Sequence, residues 1–232
     1  MSKPLIIAHR GASGYEPENT LRAFQRAFAL HADGIELDVH CCGSGELVVI
    51  HDATLQRTTD GHGRIANCTL SELQKLDAGA KEKIPTLDSV LKHTPRGSFV
   101  NIELKGKGSG RALAQFLFKK TMRSKLLISS FHFSELNDLR EQDPKTPLGL
   151  LSLSPLGIWE KAKQLSVSSI NIYHRNLTHK TVGRAHSYGY KVFAWTVNTP
   201  RDIRRMLQLK VDGIITNYPD RIQEIEKPPA SS

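Results

Sequence analysis

The sequence predicts an α/β fold, and within that class a closed (β/α)8 barrel, on three observations. Short apolar runs rich in β-branched residues recur eight times, amphipathic stretches alternate with them, and no long Pro-, Gly- or Ser-rich linker interrupts the rhythm. An open doubly wound sheet usually needs fewer strands and two helix layers, so eight repeats in 232 residues favour closure. That length also buries a substantial core without disulfide support. The expectation is one domain over residues 1–226 and a disordered tail over 227–232, where Pro228-Pro229 and Ser231-Ser232 fall.

The first strand is expected at Leu5 to Ala8, followed by a helix carrying Leu21, Phe24 and Phe28 on one face behind an Asn19-Thr20 cap. Gly34 to Val39 reads as the second strand. Glu46 to Ile50 reads as a short extra strand and Asp60-Gly61-His62-Gly63 as a turn, so residues of about 52 to 85 form a small insertion after the second strand. Pro85-Thr86 opens a helix with Leu87, Val90 and Leu91, and Ser98 to Leu104 is the third barrel strand. The remaining strands are Leu126 to Ser129, Leu148 to Leu151, Ser169 to Ile172, Lys191 to Trp195 and Gly213 to Thr216. Between them, helical spacing links Leu113, Phe116 and Leu117; Leu136 and Leu139; Ile158, Ala162 and Leu165; Val182 and Ala185; and Ile203, Met206 and Leu207.

Acids interrupt two of these strands: Glu36 and Asp38 in Gly34-Ile35-Glu36-Leu37-Asp38, and Glu103 in Val100-Asn101-Ile102-Glu103-Leu104-Lys105. A buried ionised carboxylate must be paired, hydrogen-bonded or metal-bound, and period-2 alternation points Glu36 and Asp38 to the same side. One such acid is ordinarily a salt-bridge partner; three at two strand ends point to a divalent cation. With no Cys or multiple His clustered beside them, the oxygens suit Mg²⁺ or Ca²⁺ rather than zinc.

His9 and His51 each close an apolar run, which places both imidazoles at one rim of the barrel, where general acid–base catalysis is open to them. Arg10 and Lys105 flank the acids, as a reacting phosphoryl centre requires. Trp195, at the end of its strand, either fills the barrel or walls the pocket. Gly11-Ala12-Ser13-Gly14 lacks the Lys-Ser/Thr of a nucleotide P-loop and reads as a turn. Asn19 caps a helix or faces the site.

Lys and Arg total 32 against 23 Asp and Glu, a formal charge of +9 that favours anionic partners. The basic residues lie scattered at helical spacings without interleaved exposed aromatics, which argues against nucleic acid. Cys41, Cys42 and Cys68 have no metal-site spacing and are expected as free thiols in a reducing compartment. The apolar run before His9 is too short for a signal peptide or a membrane span, so the expected location is cytoplasmic, without stable membrane insertion.

Taken together, His9-Arg10-Gly11, Glu16-Pro17-Glu18-Asn19-Thr20, Glu36-Leu37-Asp38, His51-Asp52, Glu103-Leu104-Lys105 and Asp212-Gly213-Ile214-Ile215-Thr216-Asn217-Tyr218-Pro219 closely resemble the glycerophosphodiester phosphodiesterase family, from Leu5 to about Ile222. The resemblance implies a TIM barrel, a cation held by Glu36, Asp38 and Glu103, and His9 and His51 as the acid–base pair. It also implies phosphate contacts from Arg10 and Lys105, and a small-molecule glycerophosphodiester substrate split into glycerol 3-phosphate and an alcohol by a monomer or homodimer. The short insertion resembles the cytoplasmic bacterial branch. A lysophospholipase D-like action on lipid diesters is the alternative, although no membrane-docking element stands out in the sequence.

Overall fold

A computed structural model describes residues 3–120 and 123–226. Eight parallel strands form the ring: β1 (Leu5–His9), β2 (Gly34–Cys41), β4 (Phe99–Leu104), β5 (Lys125–Ser130), β6 (Leu148–Ser152), β7 (Ser169–Tyr173), β8 (Lys191–Trp195) and β9 (Gly213–Thr216). Pairing of β1 with both β2 and β9 closes it. The extra strand, β3 (Leu47–Val49), lies outside the ring, antiparallel to the far end of β2, with Val39 opposite Val49. The barrel expected from the sequence is therefore the barrel observed.

Helices α1 (Leu21–Ala29), α3 (Leu87–His93), α4 (Ser109–Phe118), α5 (Phe133–Gln142), α6 (Ile158–Gln164), α7 (His179–Ser187), α8 (Pro200–Leu209) and α9 (Asp220–Glu226) stand between and after the barrel strands, and a single turn, α2 (Leu70–Leu73), lies between β3 and α3. Threonine fixes many of the helix starts. Thr20, Thr69, Thr86, Thr178 and Thr199 each accept the backbone N–H three residues on, satisfying a donor the helix itself cannot pair. Pro200 adds a preset φ at the first position of α8. Neither α2 nor α9 has an apolar repeat long enough to declare it in the sequence.

Alternation along the strands sorts the core into two shells. Ile6, Ala8, Ile35, Leu37, Val100 and Ile102 face outward into one continuous cluster with the helices, whereas Ile7, Leu127, Phe193 and Ile215 fill the barrel interior. A separate small cluster, Cys42, Val48, Ile50, Leu55, Ile65, Leu73, Ala78 and Ile84, packs beneath the chain running from β3 to α3. Cys41, Cys42 and Cys68 are free thiols. Among the described residues, no helix is long and apolar enough to cross a membrane. The tail expected at 227–232 lies outside the described residues.

One buried acid has a purely structural place. Glu135, in the first turn of α5, accepts hydrogen bonds from Gly108 N (3.1 Å), Gly110 N (2.9 Å) and Ser109 Oγ (3.3 Å) at the start of α4. Because it caps a neighbouring helix through otherwise orphaned amides, Glu135→Ala is expected to cost about 2–4 kcal/mol, read as a lower denaturant midpoint at unchanged m.

Candidate active site

Inward-facing parity carries the candidate residues to one end of the barrel. His9 stands above Ile7, Glu103 above Asn101, Trp195 above Phe193 and Asn217 above Ile215, while Glu36 and Asp38 are the inward pair of β2. Register then completes the grouping, because His9 lies beside Glu36 and Asp38 beside Glu103 across parallel ladders. This is the C-terminal end of the ring, where barrel enzymes place their chemistry. A cavity of about 120 Å³ opens there, lined among others by His9, Arg10, Glu36, His51, Glu103, Lys105, Phe131 and Trp195.

The acids form a tight group. Glu36, Asp38 and Glu103 are buried, and each offers a carboxylate oxygen within 4.8 Å of the others. Their protein partners are Arg10 N to Glu36 Oε2 (3.0 Å), Asn19 Nδ2 to Asp38 Oδ2 (2.9 Å) and Lys105 Nζ to Glu103 Oε1 (2.9 Å). Arg10 Nε sits 3.2 Å from Asp38 Oδ2 without aiming its N–H at it, and Lys105 Nζ is 3.9 Å from Asp38 Oδ1. Asp38 Oδ1 is thus buried and accepts no hydrogen bond.

Electrostatics reflect this crowding. Burial, then the charges of Asp38 and Glu103, raise the Glu36 carboxyl well above its usual range. Burial and Asp38 raise Glu103 to about 7, against the opposing pull of Lys105. A cation is the group that would relieve all three at once, and the donor set, all carboxylate oxygen, fits a hard divalent ion.

The two histidines are held differently. His9 Nδ1 lies 2.7 Å from the side-chain oxygen of Asn217, whose backbone N–H in turn donates to Asn198 Oδ1 (2.9 Å). With a neutral amide oxygen behind it, Nδ1 is the donor and Nε2 the free base nitrogen. Burial and the neighbouring Arg10 push His9 down to about 4, outweighing Asp38, Asn217 and Glu18. His51 Nδ1 instead meets a carboxylate, Asp52 Oδ1, at 2.5 Å. His40, on β2, bonds through Nε2 to the His51 backbone oxygen (3.0 Å) and so steadies the chain that carries it.

Strained backbone gathers at the same place. Arg10 (φ 56) and Asn19 (φ 59) both occupy the left-handed region, and Asn19 N donates to Arg10 O at 3.0 Å. Gly11 follows with φ +79, and a Cβ there would come within 2.6 Å of the Ala23 backbone, so the turn after β1 tolerates only glycine. The result is that Arg10 presents its amide to Glu36 while its guanidinium runs to Glu18 (Nη1 to Oε1, 2.9 Å).

Trp195 walls the cavity, anchored by Nε1 to Asn171 O (3.0 Å) and packed edge-on against Phe131 at 5.4 Å between centroids. All eight site residues expected from the sequence therefore sit in or beside one group of side chains. Asn217, Asp52, Glu18 and Arg57 join them; the first three lie inside the motifs quoted above without a role of their own, while Arg57 has no local signal.

A family described as the glycerophosphoryl diester phosphodiesterase family matches residues 9–221. The glycerophosphodiester phosphodiesterase of Caldanaerobacter subterraneus is 40% identical over 234 residues, covering 95% of this chain and 96% of its own. That of Bacillus altitudinis is 35% identical over 241 residues, covering 96% and 98%. Among solved structures, an Oleispira antarctica phosphodiesterase in complex with the product sn-glycerol-3-phosphate superposes with a TM-score of 0.88 at 31% identity, covering 96% of both chains.

Proposed function

The chain belongs to the glycerophosphoryl diester phosphodiesterase family and is an enzyme of that class, and from that membership we propose that it cleaves glycerophosphodiesters to sn-glycerol 3-phosphate and an alcohol with the help of a divalent cation held by Glu36, Asp38 and Glu103. The observation that carries the reading is the buried trio of acids, in which Asp38 Oδ1 accepts no hydrogen bond. The cavity of about 120 Å³ that opens beside these acids gives a small polar ligand access to them.

When bound, a Mg²⁺ or Ca²⁺ ion would supply Lewis acidity to the phosphodiester oxygens. The protein's own residues move the protons. His9, uncharged and backed by an amide oxygen, removes the proton of the attacking hydroxyl through Nε2. His51, its Nδ1 held by the Asp52 carboxylate, delivers a proton to the leaving alkoxide as the phosphorus–oxygen bond to the alcohol breaks. Arg10 and Lys105 place positive charge beside the non-bridging oxygens, and Trp195 with Phe131 contacts the carbon skeleton of the substrate.

The direct test is enzyme-coupled detection of sn-glycerol 3-phosphate from glycerophosphocholine, -ethanolamine, -inositol and -glycerol, with a lysophospholipid alongside. Release from the water-soluble diesters is the expected outcome. A chain that released it from none of them would refute the reading.

A further inference from the structure

We propose that Arg57, from the chain between β3 and α3, is a positioning residue that ties His51 and Arg10 into one fixed charged assembly. This rests on the roles proposed above for those two side chains. Its guanidinium grips two carboxylates at once: Nε and Nη2 to Asp52 Oδ2 and Oδ1 (2.6 and 3.0 Å), and Nη1 and Nη2 to Glu18 Oε2 and Oε1 (2.9 and 2.7 Å). Asp52 continues to His51 Nδ1, and Glu18 Oε1 continues to Arg10 Nη1 at 2.9 Å. One side chain from outside the barrel ring thus orients both the imidazole that delivers the proton and the guanidinium beside the phosphate.

The chemistry requires arginine. Two carboxylates converge here, and only a planar fork with several fixed N–H groups satisfies both while keeping them apart; a lysine is a point charge that holds one. The carboxylates answer to it. Hydrogen bonds from Arg57, then from His51, hold Asp52 far below its usual range. Burial alone would raise Glu18, and Arg57 with Arg10 outweighs it.

Magnitudes separate positioning from stabilisation. Arg57 is 47% exposed, and ion pairs that open to water contribute little to folding. Misplacing a reacting group by about 1 Å costs about 10²-fold in rate. Arg57→Ala should therefore unfold within a few degrees of the wild-type temperature yet lose about 10- to 100-fold in kcat, with a smaller rise in KM. Arg57→Lys should recover only a minor part, and added guanidinium ion should restore Arg57→Ala more than ammonium does.

A second measurement needs no turnover. In the wild type, the His51 Nδ1 proton should appear by NMR as a protected downfield resonance, and Arg57→Ala should lose it. A kcat within about threefold of wild type, a fall in kcat matched by an equal loss of folded protein, or a His51 resonance that persists in Arg57→Ala would each overturn the proposal. If the wild type itself released no sn-glycerol 3-phosphate, the functional reading would fall, and the resonance alone would decide whether Arg57 orders His51.

Discussion

His9→Ala and His51→Ala each lower release of sn-glycerol 3-phosphate from glycerophosphocholine by about 10²–10⁴-fold, and the two variants part company when the leaving group is changed. With an aryl leaving group such as p-nitrophenolate, the departing oxygen needs no proton. His51→Ala should then lose about tenfold or less, because its proton is no longer required, whereas His9→Ala should lose as much as before. The assignment follows from what stands behind each ring: an amide oxygen behind His9 and a carboxylate behind His51. Equal losses for both variants on both substrates would remove the division of roles, and a larger aryl-ester loss for His51→Ala would reverse it.

Glu36→Gln is expected to abolish stabilisation by divalent cation while leaving the metal-free protein at least as stable as wild type near pH 8. Glutamine keeps an oxygen for the Arg10 amide but removes a carboxyl whose charged form burial, Asp38 and Glu103 disfavour. At about 100 times its dissociation constant an ion adds about 2.7 kcal/mol to wild type, or about 5–10 °C in Tm for a domain of this size. The pH dependence has a defined sign. Glu103 rises from its ordinary 4.5 to about 7 on folding, so its protonated form stabilises the metal-free fold. That contribution is complete below about 4.5 and is lost as pH rises through about 7. Cation binding runs the other way, strengthening across the same interval as protons leave the acids. Thermal scans with and without ion, between pH 5 and 8, read both effects. An ion-induced shift of the same size in Glu36→Gln would exclude Glu36 from the cage.

What the sequence could and could not show divides along physical lines. The barrel strands were legible because each is a short apolar run, and the core strands observed fall within a residue or two of those expected. Glu36, Asp38 and Glu103 were legible because a charge inside such a run is costly and so conspicuous. Their convergence was not, since it depends on the register that sets Asp38 beside Glu103. The short α2 and α9 carry too few turns for a period to show. Asn217 meets His9 across 208 residues of sequence and Arg57 meets Asp52, behind His51, across five, through contacts that only closure of the barrel and packing of the β3–α3 chain create. Asn19, open between cap and site, proves to bond Asp38, while Thr20 does the capping.

The central claim is that three buried acids hold an ion without which the diester is not cleaved. Its most direct test is sn-glycerol 3-phosphate release from the best glycerophosphodiester of the panel by enzyme stripped with chelator, then restored with Mg²⁺ or Ca²⁺, with folding followed in parallel by circular dichroism. Loss of at least about 10²-fold in rate by a still-folded protein, recovered on adding back one of the two ions, is the predicted result; a rate that survives stripping unchanged would contradict it.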